Sequence, residues 1–165
     1  MVGKTLSKEN LRNQMVLYFL FAAAMILLNY FIQKINQLII YPLICANFGD
    51  NPIIYSLYCS TIPYNMHQLI GSILAVGITY LIKFFLDKYY VFKKAGSRLK
   101  ETSKEFIKYF LFAILTTIEN IGIQFLLTNF LHTSLEISFI VALSIGYLTK
   151  FFLDRKYVFT QDYSN

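Results

Sequence analysis

A ten-residue stretch rich in charge and aromatic rings occurs twice in this chain. Lys83-Phe-Phe-Leu-Asp-Lys-Tyr-Tyr-Val-Phe92 returns as Lys150-Phe-Phe-Leu-Asp-Arg-Lys-Tyr-Val-Phe159, identical at eight of ten positions. Lys83 and Asp87 stand four apart and so share one face of a helix, as do Lys150 and Asp154. With Lys88 and Arg155 they form a ring of bases suited to a phosphate: Lys and Arg donate to its oxygens, while the carboxylates hold some of the cations by ion pairs. Tyr90, Phe92, Tyr157 and Phe159 would anchor at head-group level or pack against a sugar or a lipid chain. The plainer alternative is that Lys, Asp and aromatic residues simply mark a membrane boundary, as they do in many proteins.

A second polar set lies inside apolar sequence. Asn29 and Gln33 stand four apart, as do Asn120 and Gln124, so each pair lies on one helix face. Such amides can join helices in a bilayer, at about 0.6 kcal/mol on average, or give a sugar a polar path. Glu119 sits mid-stretch, where a bare carboxylate is costly; it reads as a protonated, paired or head-group-binding residue. Leu28 holds the matching place in the first copy, which excludes a mechanism needing two symmetric carboxylates. Cys45 and Cys59 can form one disulfide or remain thiols. His67 and His132 show no metal-ligand spacing, and there is no Gly-rich phosphate loop, nucleophile elbow or catalytic carboxylate pair. The expectation is no enzyme, no metal and no cofactor.

The elements that carry these residues follow from composition. The 165 residues are 56% hydrophobic and 15% charged, with mean hydropathy +0.52, against about 45–50% apolar and 25% charged in a soluble domain. A spanning helix takes about 20 apolar residues, so four use roughly half the chain and leave no room for a soluble catalytic domain. Asn13 to Gln33 carries no charge and is the first span. It is too long for a cleaved signal peptide, and no Ala-x-Ala site closes it. Pro52 and Pro63 break the next apolar stretch, so the second span runs from about Met66 to Leu86. The third is Tyr109 to Leu131 and the fourth Leu135 to Leu153. Leu38 to Cys45 reads as an interfacial or re-entrant piece of the outer loop, and Lys93 to Lys108 as a solvated loop that also touches lipid.

Charge sets the orientation. Lys4, Lys8 and Arg12, the cluster from Lys83 to Lys108, and Lys150, Arg155 and Lys156 place 14 of 15 basic residues on one side; only Lys34 faces the other. The positive-inside rule puts both termini and the middle connection in the cytoplasm. Anionic lipid then accounts for the net charge of +6 without nucleic acid.

The repeat extends through the spans. Tyr18-Phe-Leu-Phe-Ala22 recurs as Tyr109-Phe-Leu-Phe-Ala113, with Asn29 and Gln33 matching Asn120 and Gln124. The first spans match at a shift of 91 and the signatures at 67; the difference of 24 residues is extra length in the first outer loop. The fold expected is an all-α integral membrane protein of four transmembrane helices, built as two parallel-repeat hairpins over about residues 13–92 and 106–159.

Two hairpins, each ending in this signature, resemble the GtrA family over nearly the whole chain. Family members commonly show Asn-Arg followed by aromatic-Val-Phe there; this chain has Asp87 and Asp154 at the Asn position, and Lys88 and Arg155 at the Arg position. The long first outer loop is a departure. The resemblance implies a single GtrA-like transmembrane domain over residues 1–165, in a multi-pass protein of the cytoplasmic membrane. It implies a part in cell-surface polysaccharide or teichoic-acid glycosylation, moving a polyprenyl-phosphate-linked sugar across the bilayer. Membrane lipid, that lipid-linked sugar and a glycosyltransferase are the partners implied, and a homo-oligomer is left open. Two rivals stay open: a non-transporting anchor for a glycosyltransferase, and a small proton-coupled exporter that uses Glu119.

Overall fold

The computed structural model describes residues 2–62, 65–94 and 98–159, with side chains from Asn10 onward. Pro63, read above as a helix break, and the side chains of Lys4 and Lys8 lie outside the described residues. Four helical stretches are long and apolar enough to cross a membrane: Asn10–Phe48, Met66–Val91, Leu99–Asn129 and Leu135–Val158. No strand occurs among the described residues. The chain is an all-α protein with four spans.

The helices are α1 (Val2–Ile35), α2 (Tyr41–Phe48), α3 (Pro52–Ile54), α4 (Met66–Leu86), α5 (Leu99–Asn129) and α6 (Leu135–Leu153). Helices α4 and α6 have the bounds that the charge pattern set. Counting the π turns that continue α4 and α6 to Val91 and Val158, all four spanning stretches run longer than expected, the other two most of all. Helix α1 passes through a π-helical turn, Asn36–Ile40, into α2, so Leu38 to Cys45 continues the first helical stretch instead of standing apart. Pro42 does not break it because it lies in the first turn of α2, where an absent N–H costs little. At 1.5 Å per residue, the 39 residues of Asn10–Phe48 measure about 58 Å, nearly twice a hydrocarbon core of about 30 Å. This stretch therefore extends past the lipid interior.

The Lys93 to Lys108 run is helical from Leu99 onward. The Glu101 carboxylate accepts the Arg98 backbone N–H at 3.2 Å, in the first turn, where negative charge is favourable. Charge marks where a helix leaves lipid, not where it ends, which is why the charged run looked like a loop.

The described residues form two compact units: the chain up to Phe19 with everything from Leu86 onward, and Leu20–Phe85. In the first, α5 and α6 lie along one another. Ser138, Ala142 and Gly146 form the buried face of α6, and a Cβ on Gly146 would sit 3.4 Å from the Thr116 carbonyl oxygen. Small residues four apart let helix backbones approach closely, the usual device in lipid. In the second unit, Gly71, Ala75 and Thr79 make the same stripe on α4, at the register of the repeat. Both stripes run on at intervals of four to Lys83 and Asp87, and to Lys150 and Asp154, all of them buried.

Candidate functional site

The signature changes helical pitch at its aspartate. Asp87–Val91 and Asp154–Val158 are π-helical turns that continue α4 and α6. Their closing bonds span five residues: the Phe92 amide donates to the Asp87 carbonyl at 2.9 Å, and the Phe159 amide to that of Asp154 at 2.8 Å. The wider turn brings residues four and five beyond the aspartate onto the same buried side. Asp87, Val91 and Phe92 therefore face inward together, as do Asp154, Val158 and Phe159, while Tyr90 and Tyr157 stay exposed. Single π turns are rare and gather at functional sites.

Each buried aspartate is served by the other copy of the repeat. Tyr18 donates its hydroxyl to Asp154 at 2.9 Å, and Tyr109 donates to Asp87 at 2.8 Å. Both tyrosines and both aspartates are 0% exposed. A buried carboxylate needs such donors, because losing water without them costs several kcal/mol. The two signature-ending rings seal the arrangement. Phe92 stacks on Phe159 at 4.8 Å and on Phe151 at 5.8 Å, while Tyr18 meets Phe151 edge-on at 5.4 Å.

The bases are placed less symmetrically. Lys150 pairs with Asp154 at 2.6 Å, and its ammonium also lies 3.5 Å from the centre of the Tyr109 ring. One lysine thus touches both tyrosine–aspartate clasps. Lys88 is fully buried; it pairs with Glu105 at 2.8 Å and donates to Thr102 at 2.7 Å. Glu105 also holds Lys94 at 2.8 Å. Lys83 is buried in the other unit. Arg155, which matches Lys88 in the repeat, is exposed and makes no ion pair among the described residues. At the place of Glu105 the first copy has Gln14, whose Oε1 is buried without a hydrogen-bond partner. No anionic partner therefore draws Arg155 inward at that position.

Of the residues singled out in the signature, Asp87, Lys88, Lys150, Asp154, Phe92 and Phe159 thus come together in one unit. Arg155, Tyr90 and Tyr157 lie at its exposed edge. The intramembrane amides fall into two groups. In the unit Leu20–Phe85, Ser72 donates to Gln33 at 3.3 Å, Gln33 to Asn29 at 2.6 Å, and Asn29 to Thr79 at 3.4 Å. In the other unit, Glu119 accepts the Thr149 hydroxyl at 2.9 Å, and Asn120 Oδ1 is buried without a hydrogen-bond partner among the described residues. Cys45 and Cys59 are disulfide-bonded. No group of three or more His, Cys, Asp or Glu able to hold a metal occurs among the described residues.

Tyr18, Tyr109 and Glu105 were not expected as site residues. The two tyrosines carried a signal, since they recur with the aspartates at fixed registers; Glu105 had none beyond its helix.

Residues 44–159 match the family model for the GtrA/DPMS transmembrane domain. The match takes in both copies of the signature and well over half of the chain. The protein belongs to the GtrA/DPMS family. No curated protein and no solved structure matches it. Within this GtrA/DPMS domain the repeated aspartates form the buried frame, and Arg155, Tyr90 and Tyr157 are among the exposed side chains of the signature. Most of the first span, with Asn29 and Gln33, precedes the matched segment. This multi-pass membrane protein is thus one whose family ties it to glycosylation.

Proposed function

We propose that the protein moves a polyprenyl-phosphate-linked sugar across the cytoplasmic membrane for cell-surface polysaccharide or teichoic-acid glycosylation. The observation that carries this reading is the GtrA/DPMS match across both copies of the signature. The charge distribution supports a topology with the signatures on the cytoplasmic side. In this scheme the lipid phosphate meets the signature's basic ring through exposed Arg155, whose planar guanidinium suits phosphate oxygens. Lys88 and Lys150 are neutralised by buried carboxylates in the same unit, and Lys83 is the ring's remaining base. Sugar hydroxyls exchange hydrogen bonds with Asn29 and Gln33 of the first hairpin and, separately, with Glu119, Asn120 and Gln124 of the second, and the prenyl tail stays in lipid.

The test is reconstitution of the purified full chain in liposomes with a defined polyprenyl-phosphate sugar, followed by access of an impermeant reagent to the sugar. Transport-dependent exposure is the expected result. The rival reading, an anchor for a glycosyltransferase, draws on the outward-facing Lys100, Lys104 and Lys108 of α5. Liposomes in which no sugar crosses, together with retention of a transferase on the chain, would overturn the transport reading in its favour.

A further inference from the structure

The unit Leu20–Phe85 contains a polar cleft of about 210 Å³ between α1 and the Met66 end of α4. Its walls carry Tyr30, Gln33, Lys34, Gln37, Gln68 and Ser72, and its floor Asn36 and Gly71. The volume corresponds to about seven waters at ~30 Å³ each, the scale of one sugar ring. Four amides, a serine hydroxyl and a tyrosine offer donors and acceptors in nearly equal measure, as a ring of hydroxyls demands. The side-chain amides of Gln37 and Gln68 have no hydrogen-bond partner among the described residues. Lys34 supplies the one cation, 5.8 Å from the centre of the Tyr30 ring, and no carboxylate lines the cleft.

The floor is fixed in place. Asn36 donates to the His67 carbonyl at 2.8 Å and accepts the Tyr58 hydroxyl at 2.5 Å. The Cys45–Cys59 disulfide ties down the segment that carries Tyr58. Any Cβ on Gly71 would collide with the Asn36 amide, so only glycine leaves that amide its place. Asn36 also opens the π turn that joins α1 to α2. The second copy of the repeat keeps Gln124 for Gln33 and has Thr128 for Gln37, but loses most of the other polar groups. Phe125 stands for Lys34, Leu127 for Asn36, Leu135 for Gln68 and Phe139 for Ser72.

We infer that this cleft is a binding site for the hydroxylated ring of a sugar head group, carried by the first hairpin alone. The inference rests on the transport reading only for the source of the sugar, a lipid-linked one. The cleft lies at the end of α4 remote from Lys83, the end at which a head group arrives after crossing.

The test uses the purified full chain in nanodiscs and water-soluble ten-carbon prenyl phosphates carrying glucose, galactose or N-acetylglucosamine, with the same free sugars as a second arm. Saturation transfer to the sugar protons is the readout. At least one probe should bind, and the double variant Gln37→Leu, Gln68→Leu should raise its dissociation constant at least tenfold. Both side chains are exposed and without partners, so the fold should survive; Lys34→Gln is an independent second variant. Binding of the free sugar as well would show that the ring alone is recognised, and binding of only the lipid-linked form that ring and phosphate act together. Binding unchanged in both variants, or no binding of any probe, overturns the proposal. Cleft-dependent binding without transport in liposomes would sink the transport reading and leave the cleft standing. Normal transport and binding in the cleft variants would do the reverse.

Discussion

Asp87 and Asp154 occupy equivalent places, and both are buried beneath a tyrosine hydroxyl from the opposite copy. One residue further on, the copies part. Lys88 turns inward to Glu105, whereas Arg155 stays outside, beside a first copy that has Gln14 in place of that acid. The duplication has thus kept the frame and divided the cations, one buried in an ion pair and one exposed. A similar division recurs at the far ends of the hairpins, where Lys34, Asn36, Gln68 and Ser72 of the first give way to Phe and Leu in the second. Near-identity of the two copies in sequence therefore does not imply near-identity of role.

The largest effect that would test this contrast is Lys150→Met, which strands a fully buried Asp154 with only a tyrosine donor. It should cost about 3–5 kcal/mol, read as thermal unfolding in detergent. Lys88→Met should cost less, about 1–3 kcal/mol, because Glu105 keeps its bond to Lys94; a reversed order would break the comparison. Tyr18→Phe and Tyr109→Phe each remove one hydrogen bond to a buried carboxylate, worth about 1.5–3 kcal/mol. Matching losses would sharpen the view that the clasps are equivalent, and a large gap would count against it. The smallest stability change belongs to Arg155→Gln, within about 0.5 kcal/mol. That variant should nevertheless lower sugar translocation about tenfold, and wild-type transport would remove Arg155 from the phosphate contact.

Much of this was legible from residue types. The apolar stretches placed α4 and α6, although π turns carry both helical stretches on to Val91 and Val158. Helices α1 and α5 ran longer because helix continues beyond lipid wherever water can solvate Lys and Glu. The π turn at Asn36–Ile40 carried the first stretch past Pro42 in a way that no hydropathy window registers. The tyrosine–aspartate exchange depends on which residues meet across more than 100 positions for Tyr18 and Asp154. Only the paired recurrence of Tyr and Asp hinted at it. The stripes Gly71, Ala75, Thr79 and Ser138, Ala142, Gly146 were readable as small residues four apart, leading straight to the lysine and aspartate of each signature.

The exchanged clasps carry a genealogical consequence. A lone hairpin of this sequence would hold a tyrosine without its carboxylate acceptor and an aspartate without its tyrosine donor, and could restore both clasps only by meeting a second hairpin. The present chain has the arrangement of two interlocked partners fused into one polypeptide, with the linker replacing encounter by diffusion. Fusion of that kind also frees each partner to change alone, which a symmetric pair encoded once can never do.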